Sequence, residues 1–148
     1  MKSDQSVRNI CLASIKRSII NPFDFPLTSI FDTETFPGIY NNSFTPMDAN
    51  ENELPISQTT VNKNNWTLIT TRQIITSIDG IIKTAKAGTV NSWHWNDLKG
   101  YNKTDYTMGE LQLDNQQKLE IFLETGKASL VMIYAIMALV KQVEASCL

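Results

Sequence analysis

The sequence predicts an α+β fold: a strongly bent antiparallel sheet capped by a C-terminal helix, with an extra N-terminal amphipathic helix. Three observations predict it. Between Trp66 and Glu124, β-branched and aromatic residues recur in short runs parted by turn residues, the pattern of successive antiparallel strands. From about Ala128 to Ser146 there is no proline or glycine, and Leu130 to Val140 is apolar all round, as in a helix covered on more than one face. Residues 4–20 repeat apolar side chains at three- and four-residue spacing.

In the first helix, Val7, Ile10, Cys11, Ile15 and Ile19 form one stripe, and Arg8, Lys16 and Arg17 fall on the wetter side. Ser3 or Asp4 caps its start. Pro22 ends it, because a residue before proline is pushed out of the helical region. Residues 21–65 read as an irregular segment. All five prolines lie there (Pro22, Pro26, Pro37, Pro46 and Pro55), interleaved with Phe23, Phe25, Phe31, Phe36, Tyr40 and Phe44. So many large apolar groups argue for a segment pinned to the domain surface, with a short edge strand between Phe36 and Phe44. Residues 47–64 read as a mobile loop.

Trp66–Thr70 and Arg72–Ile78 read as strands. Asp79-Gly80 marks a hairpin turn, since a type I′ turn demands positive φ, and Ile81–Thr84 returns from it. Val90–Trp95 follows, with Leu98–Tyr101 as its extension. Gly109–Leu113 and Lys118–Glu124 are joined by residues 114–117. In the last strand Leu119, Ile121 and Leu123 point one way; Lys118, Glu120, Phe122 and Glu124 form a mostly wet face. The final helix starts at Thr125 or Gly126. It plugs the mouth of the sheet with one face and meets the N-terminal helix, or a second subunit in a homodimer, with the other. The whole reads as one domain with helix 1–20, irregular segment 21–65, strands 66–124 and helix 125–146.

A chain of 148 residues buries about 68–70% of its unfolded surface and needs no metal or disulfide for stability. The net charge of −2 gives no reason to expect a nucleic-acid partner. Charge is unevenly spread, however. From Ser18 to Asn62 there is no Lys or Arg, but Asp24, Asp32, Glu34, Asp48, Glu51 and Glu53 all fall in this stretch. Such a segment is either a solvated acidic loop or a site for a basic partner. The polar start MKSDQSVRN, with Arg8, Lys16 and Arg17 beyond it, does not read as a signal peptide. The apolar run Leu130–Val140 is shorter than the ~20 residues a bilayer core requires. The expectation is a cytoplasmic protein without stable membrane association. Cys11 and Cys147 sit in helical patterns among apolar residues and read as buried thiols, a disulfide between them being the alternative. No Cys/His cluster with zinc spacing occurs.

No catalytic constellation, metal set or cofactor motif emerges. His94, the single histidine, lies between Trp93 and Trp95 and faces away from both. A general-base role would pair it with Asp97 or Glu110; a structural histidine is the simpler reading. Gly126, Lys127 and Ser129 resemble a phosphate loop, but Ile121 stands where the motif needs glycine. An anion held at the helix start beside Lys127 is the alternative to ordinary capping. Trp93, Trp95, Tyr101 and Tyr106 with Lys99 and Lys103 mix aromatics and cations, for which core packing beside a lysine edge suffices.

The strand pair WTLITTRQIITSIDG, the hairpin GELQLDNQQKLEIFLETG and the closing helix ASLVMIYAIMALVKQ resemble, in order and pattern, bacterial pleckstrin-homology-like domains over roughly residues 66–146. The resemblance implies a bent antiparallel sheet capped by one helix, and a role in binding proteins, peptides or lipids rather than catalysis. The lipid-binding version implies a basic cluster between the first two strands; Thr70-Thr71-Arg72 supplies one cation only. In size and in its acidic segment the chain also resembles small bacterial immunity proteins that neutralise a toxin. The functional expectation is a non-enzymatic module that binds a basic protein through Asp32, Glu34, Phe36, Tyr40, Phe44, Asp48, Glu51 and Glu53. The alternatives are a small-ligand or lipid sensor with a pocket between sheet and last helix, and a small enzyme built on His94.

Overall fold

A computed structural model describes residues 3–19, 25–31, 53–100 and 104–146. It shows an α+β architecture of two helices and two antiparallel sheets.

Helix α1 spans Asp4–Ser18. Ser3 caps it, its Oγ accepting the Ser6 N–H at 3.2 Å. Asp4 in the first turn and Lys16 and Arg17 in the last suit the helix dipole. Ile19 is already extended, so the helix stops short of Pro22. Cys11, Leu12 and Ile15 form the buried stripe. Arg8 shares it, which corrects the expectation of a wet position: the 8-11-12-15 spacing sets it on the apolar side, 5% exposed.

The first sheet contains β1 (Thr28–Ile30), β2 (Pro55–Asn62), β3 (Asn65–Thr70), β4 (Gln73–Ile78) and β5 (Ile81–Lys86), in that order and all antiparallel. Strands β1 and β2 fall in the segment read as irregular, and β2 occupies residues 55–62 of the expected mobile loop, whose residues 47–52 lie outside the described residues. Its sequence PISQTTVN is polar, yet Ser57, Gln58 and Thr59 are buried between neighbours on both sides. Pro55 occupies the first position of the strand, where proline is tolerated. Between β4 and β5, Asp79 (φ 52°) and Gly80 (φ 83°) make the expected two-residue turn.

A short 3₁₀ turn, Ala87–Thr89, leads to the second sheet: β6 (Val90–Trp95), β7 (Tyr106–Leu113) and β8 (Lys118–Glu124), in that order. No ladder joins β5 to β6, so the bent sheet of the sequence reading is two sheets. The extension of β6 through Leu98 is absent, Leu98 and Lys99 lying in a turn. Glycine is required at 109: an added Cβ there would lie 2.8 Å from Trp95 Cε3, so the bare backbone lets the indole lie on β7.

The second sheet lays the free edge of β8 across the first. Thr28, Thr59, Thr67 and Thr76 are register partners on four adjacent strands, all buried. Their hydroxyls pair at 3.0 Å (Thr28–Thr59) and 2.9 Å (Thr67–Thr76). The Phe122 N–H of β8 donates to Thr67 Oγ1 at 2.8 Å, which satisfies an edge amide that burial would leave unpaired. This crossing corrects the expected wet face of β8. Lys118 and Glu120 are exposed, but Phe122 and Glu124 are buried, and Glu124 Oε1 accepts the Leu27 N–H at 3.1 Å.

After a 3₁₀ turn at Gly126–Ala128, helix α2 runs Ser129–Ser146. It packs on α1 with one face and on β2, β3 and β8 with another. Residues Gly126–Glu144 are long and apolar enough to cross a membrane by length and composition, but 56% of that stretch is buried inside the fold. The main core joins Ile15 of α1, Ile69 and Ile74 of the first sheet, Leu111, Ile121 and Leu123 of the second, and Met132 and Ile136 of α2. A second cluster, Phe31, Trp66, Leu68 and Ile75, lies on the opposite face of the first sheet.

Candidate functional site: a groove along a free strand edge

Among the described residues, strand β5 ends the order of the first sheet and pairs on one side only. In a two-residue hairpin the closing pair exchanges both main-chain hydrogen bonds, here Ile78 with Ile81. The main-chain groups of Ile82 and Thr84 therefore point away from β4, toward the free edge. Ile81, Ile82, Lys83 and Thr84 are all exposed, Ile81 by 65% and Ile82 by 39%.

A groove runs beside this edge. Near the hairpin it holds about 330 Å³ between Ile78, Ile81 and Lys83 on one wall and Glu110, Lys118 and Glu120 on the other. Further along it holds about 510 Å³ between Lys83 and Thr84 and the β7–β8 hairpin, with Leu113, Gln117, Lys118 and Leu119. Glu110 and Glu120 are register partners, and Lys118 Nζ lies 3.8 Å from Glu110 Oε2. Among the described residues no ion pair engages Lys83 or Glu120. The other free edges offer less. Strand β1 has three residues, β8 is laid on the first sheet, and β6 carries a bulge between Val90 and Ser92, a device that blunts pairing.

Of the residues expected to bind a partner, Asp32, Glu34, Phe36, Tyr40, Phe44, Asp48 and Glu51 lie outside the described residues. Glu53 is described and is turned inward, 7% exposed. Its carboxylate accepts the Thr70 hydroxyl, and Gln73 Nε2 donates to its Oε2 at 2.9 Å. At the start of α2, Gly126 donates its N–H to the Leu98 carbonyl at 2.6 Å and Ser129 donates its hydroxyl to the Gly126 carbonyl at 2.7 Å. Both groups are spent within the chain, leaving Lys127 exposed beside them.

His94 is exposed and is the register partner of Glu110; Trp93 and Trp95 stack on the opposite face with centroids 6.3 Å apart. Among the described residues no group of three or more His, Cys, Asp or Glu side chains is placed to hold a metal. The space between the sheets and α2, where a ligand-sensing reading needs a pocket, holds Leu111, Ile121, Leu123, Val131, Met132 and Ile136, each fully buried. Tyr101, Lys103 and Cys147 lie outside the described residues.

A titratable contact ties α1 to the β3–β4 turn of the first sheet. The Asp4 carboxylate accepts Arg72 Nε at 3.0 Å, Arg72 Nη2 at 2.8 Å and the Thr71 hydroxyl. The Arg72 hydrogen bonds hold its carboxyl below the ordinary value, against the opposing effect of burial, and Thr71 adds to the lowering.

The groove is not among the sequence-derived candidates, although the stretch Ile81-Ile82-Lys83-Thr84-Ala85-Lys86 carries a signal. Two lysines on a short hairpin strand mark an edge kept from indiscriminate pairing. Comparisons with protein-family models, curated proteins and solved structures find no match to this chain.

Proposed function

We propose that this protein is a non-enzymatic protein-binding module that takes an extended segment of its partner along the free edge of β5. The observation that carries this reading is the coincidence of outward-facing main-chain groups at Ile82 and Thr84 with a groove lined by charged and aliphatic side chains. Strand addition supplies main-chain hydrogen bonds for affinity, and the side chains flanking the edge supply specificity. The order of antiparallel strands closed by a helix is compatible with a pleckstrin-homology-like fold, which accords with a binding role. A toxin-neutralising immunity protein acting in the cytoplasm is the most specific form of the proposal.

The test is selection of random displayed peptides on the full chain, followed by amide exchange in the complex. The amides of Ile82 and Thr84 exchange rapidly in the free protein and become protected when peptide binds. Thr84→Pro removes an N–H that faces away from β4, so the sheet tolerates it while docking is lost. Equal enrichment on wild type and Thr84→Pro, with matching circular dichroism, would remove β5 from the proposal.

A further inference from the structure

We infer that the segment seated along β5 carries an acidic side chain, held between Lys83 and Lys118. This rests on the edge-docking reading and specifies the chemistry of its occupant. The wider part of the groove has Lys83 on the β5 wall and Lys118 on the β8 wall, with Thr84 and Gln117 as neutral polar neighbours and no carboxylate among the described residues of its lining. Lys118 keeps its side chain 57% exposed and makes one loose contact with Glu110; Lys83 has no ion pair among the described residues. A residue opposite Lys83 on an added strand would have its Cβ about 5 Å from that of Lys83, on the groove side. A carboxylate there meets two ammonium groups from opposite walls. Toward the hairpin Asp79, Glu110 and Glu120 join the same two lysines and make the lining net acidic, so the charge along the groove also fixes the register of what binds.

The same charges disfavour a second copy of this chain as the occupant. Two β5 edges paired antiparallel about Lys83 would set that lysine against the Lys83 of the other copy, and like charges facing across strands repel.

The experiment uses the full chain and short peptides of alternating Val and Thr that carry a single Glu, Lys or Ser at each position in turn, read by fluorescence polarisation. Glu peptides are expected to bind at least about tenfold more tightly than their Lys counterparts at low salt, a difference of ~1.4 kcal/mol. The preference should shrink as salt rises. In Lys83→Glu/Lys118→Glu, whose changes are both on exposed side chains, the preference should reverse, with the unfolding midpoint confirming an intact fold. Equal binding of Glu and Lys peptides, both abolished by Thr84→Pro, would overturn the acidic occupant and leave edge docking standing. Binding indifferent to Thr84→Pro, or no binding by any peptide, would overturn both. A dimer in sedimentation that protects the Ile82 and Thr84 amides would make the occupant a second copy and overturn the inference.

Discussion

At Asp4 a single carboxylate joins the first turn of α1 to the β3–β4 turn, through Arg72 and Thr71. Because its folded-state pKa lies below the unfolded value, its contribution is fully present above about pH 4 and is lost as pH falls through the folded value. Asp4→Asn should lower stability by about 1 kcal/mol at neutral pH. Denaturant midpoints of variant and wild type should converge toward pH 2; a gap that persists in acid would remove the charge from the account. Neither Arg72 nor Thr71 announces this pairing in the sequence, since they stand far from Asp4 along the chain. Arg8 marks the same limit. Its spacing lies within the buried stripe, but arginine is usually exposed, and residue type outweighed period in placing it on the wet side.

Among the elements, the strands with a clear apolar period were legible. Val90–Trp95 and Lys118–Glu124 have the expected bounds, and the Asp79-Gly80 hairpin has its expected turn. Strand β2 was not, because Ser57, Gln58 and Thr59 are polar residues that become buried only when β1 and β3 flank them. The threonine ladder depends on the same pairing. A consistent proton assignment runs from the Phe122 N–H to Thr67, from the Thr67 hydroxyl to Thr76, and from the Thr76 hydroxyl to the Trp66 carbonyl. Thr67→Val keeps the shape and strips this chain of its centre, leaving the Phe122 amide buried and unpaired. It should cost about 1–3 kcal/mol in urea unfolding, while Thr67→Ser, which keeps the hydroxyl, should lose markedly less. A smaller loss in Thr67→Val than in Thr67→Ser would show that the methyl group, not the hydrogen bond, matters there.

Over the whole molecule, α2 is the central piece, with α1 on one face and both sheets on another. Cys11 lies in this packing with no exposed surface, and burial pushes its thiol up to about 12. In a Cys147→Ser background, Cys11 should resist thiol reagents until global unfolding, with a labelling rate that follows the population of unfolded chain. Rapid labelling of the native protein would mean that the two helices separate locally. By itself the sequence determined the fold class, the N-terminal helix with a cap at Ser3 or Asp4, most strands of the second half and the apolar closing helix. Those features follow from local propensity and periodicity, which neighbouring residues carry. Among the described residues, the tertiary structure decided that there are two sheets, that β8 crosses the first sheet on a stripe of threonines, and that β5 is left with an open edge beside a charged groove. These depend on which strands meet across long loops, and a free edge is defined by the neighbour a strand lacks, which no local pattern records.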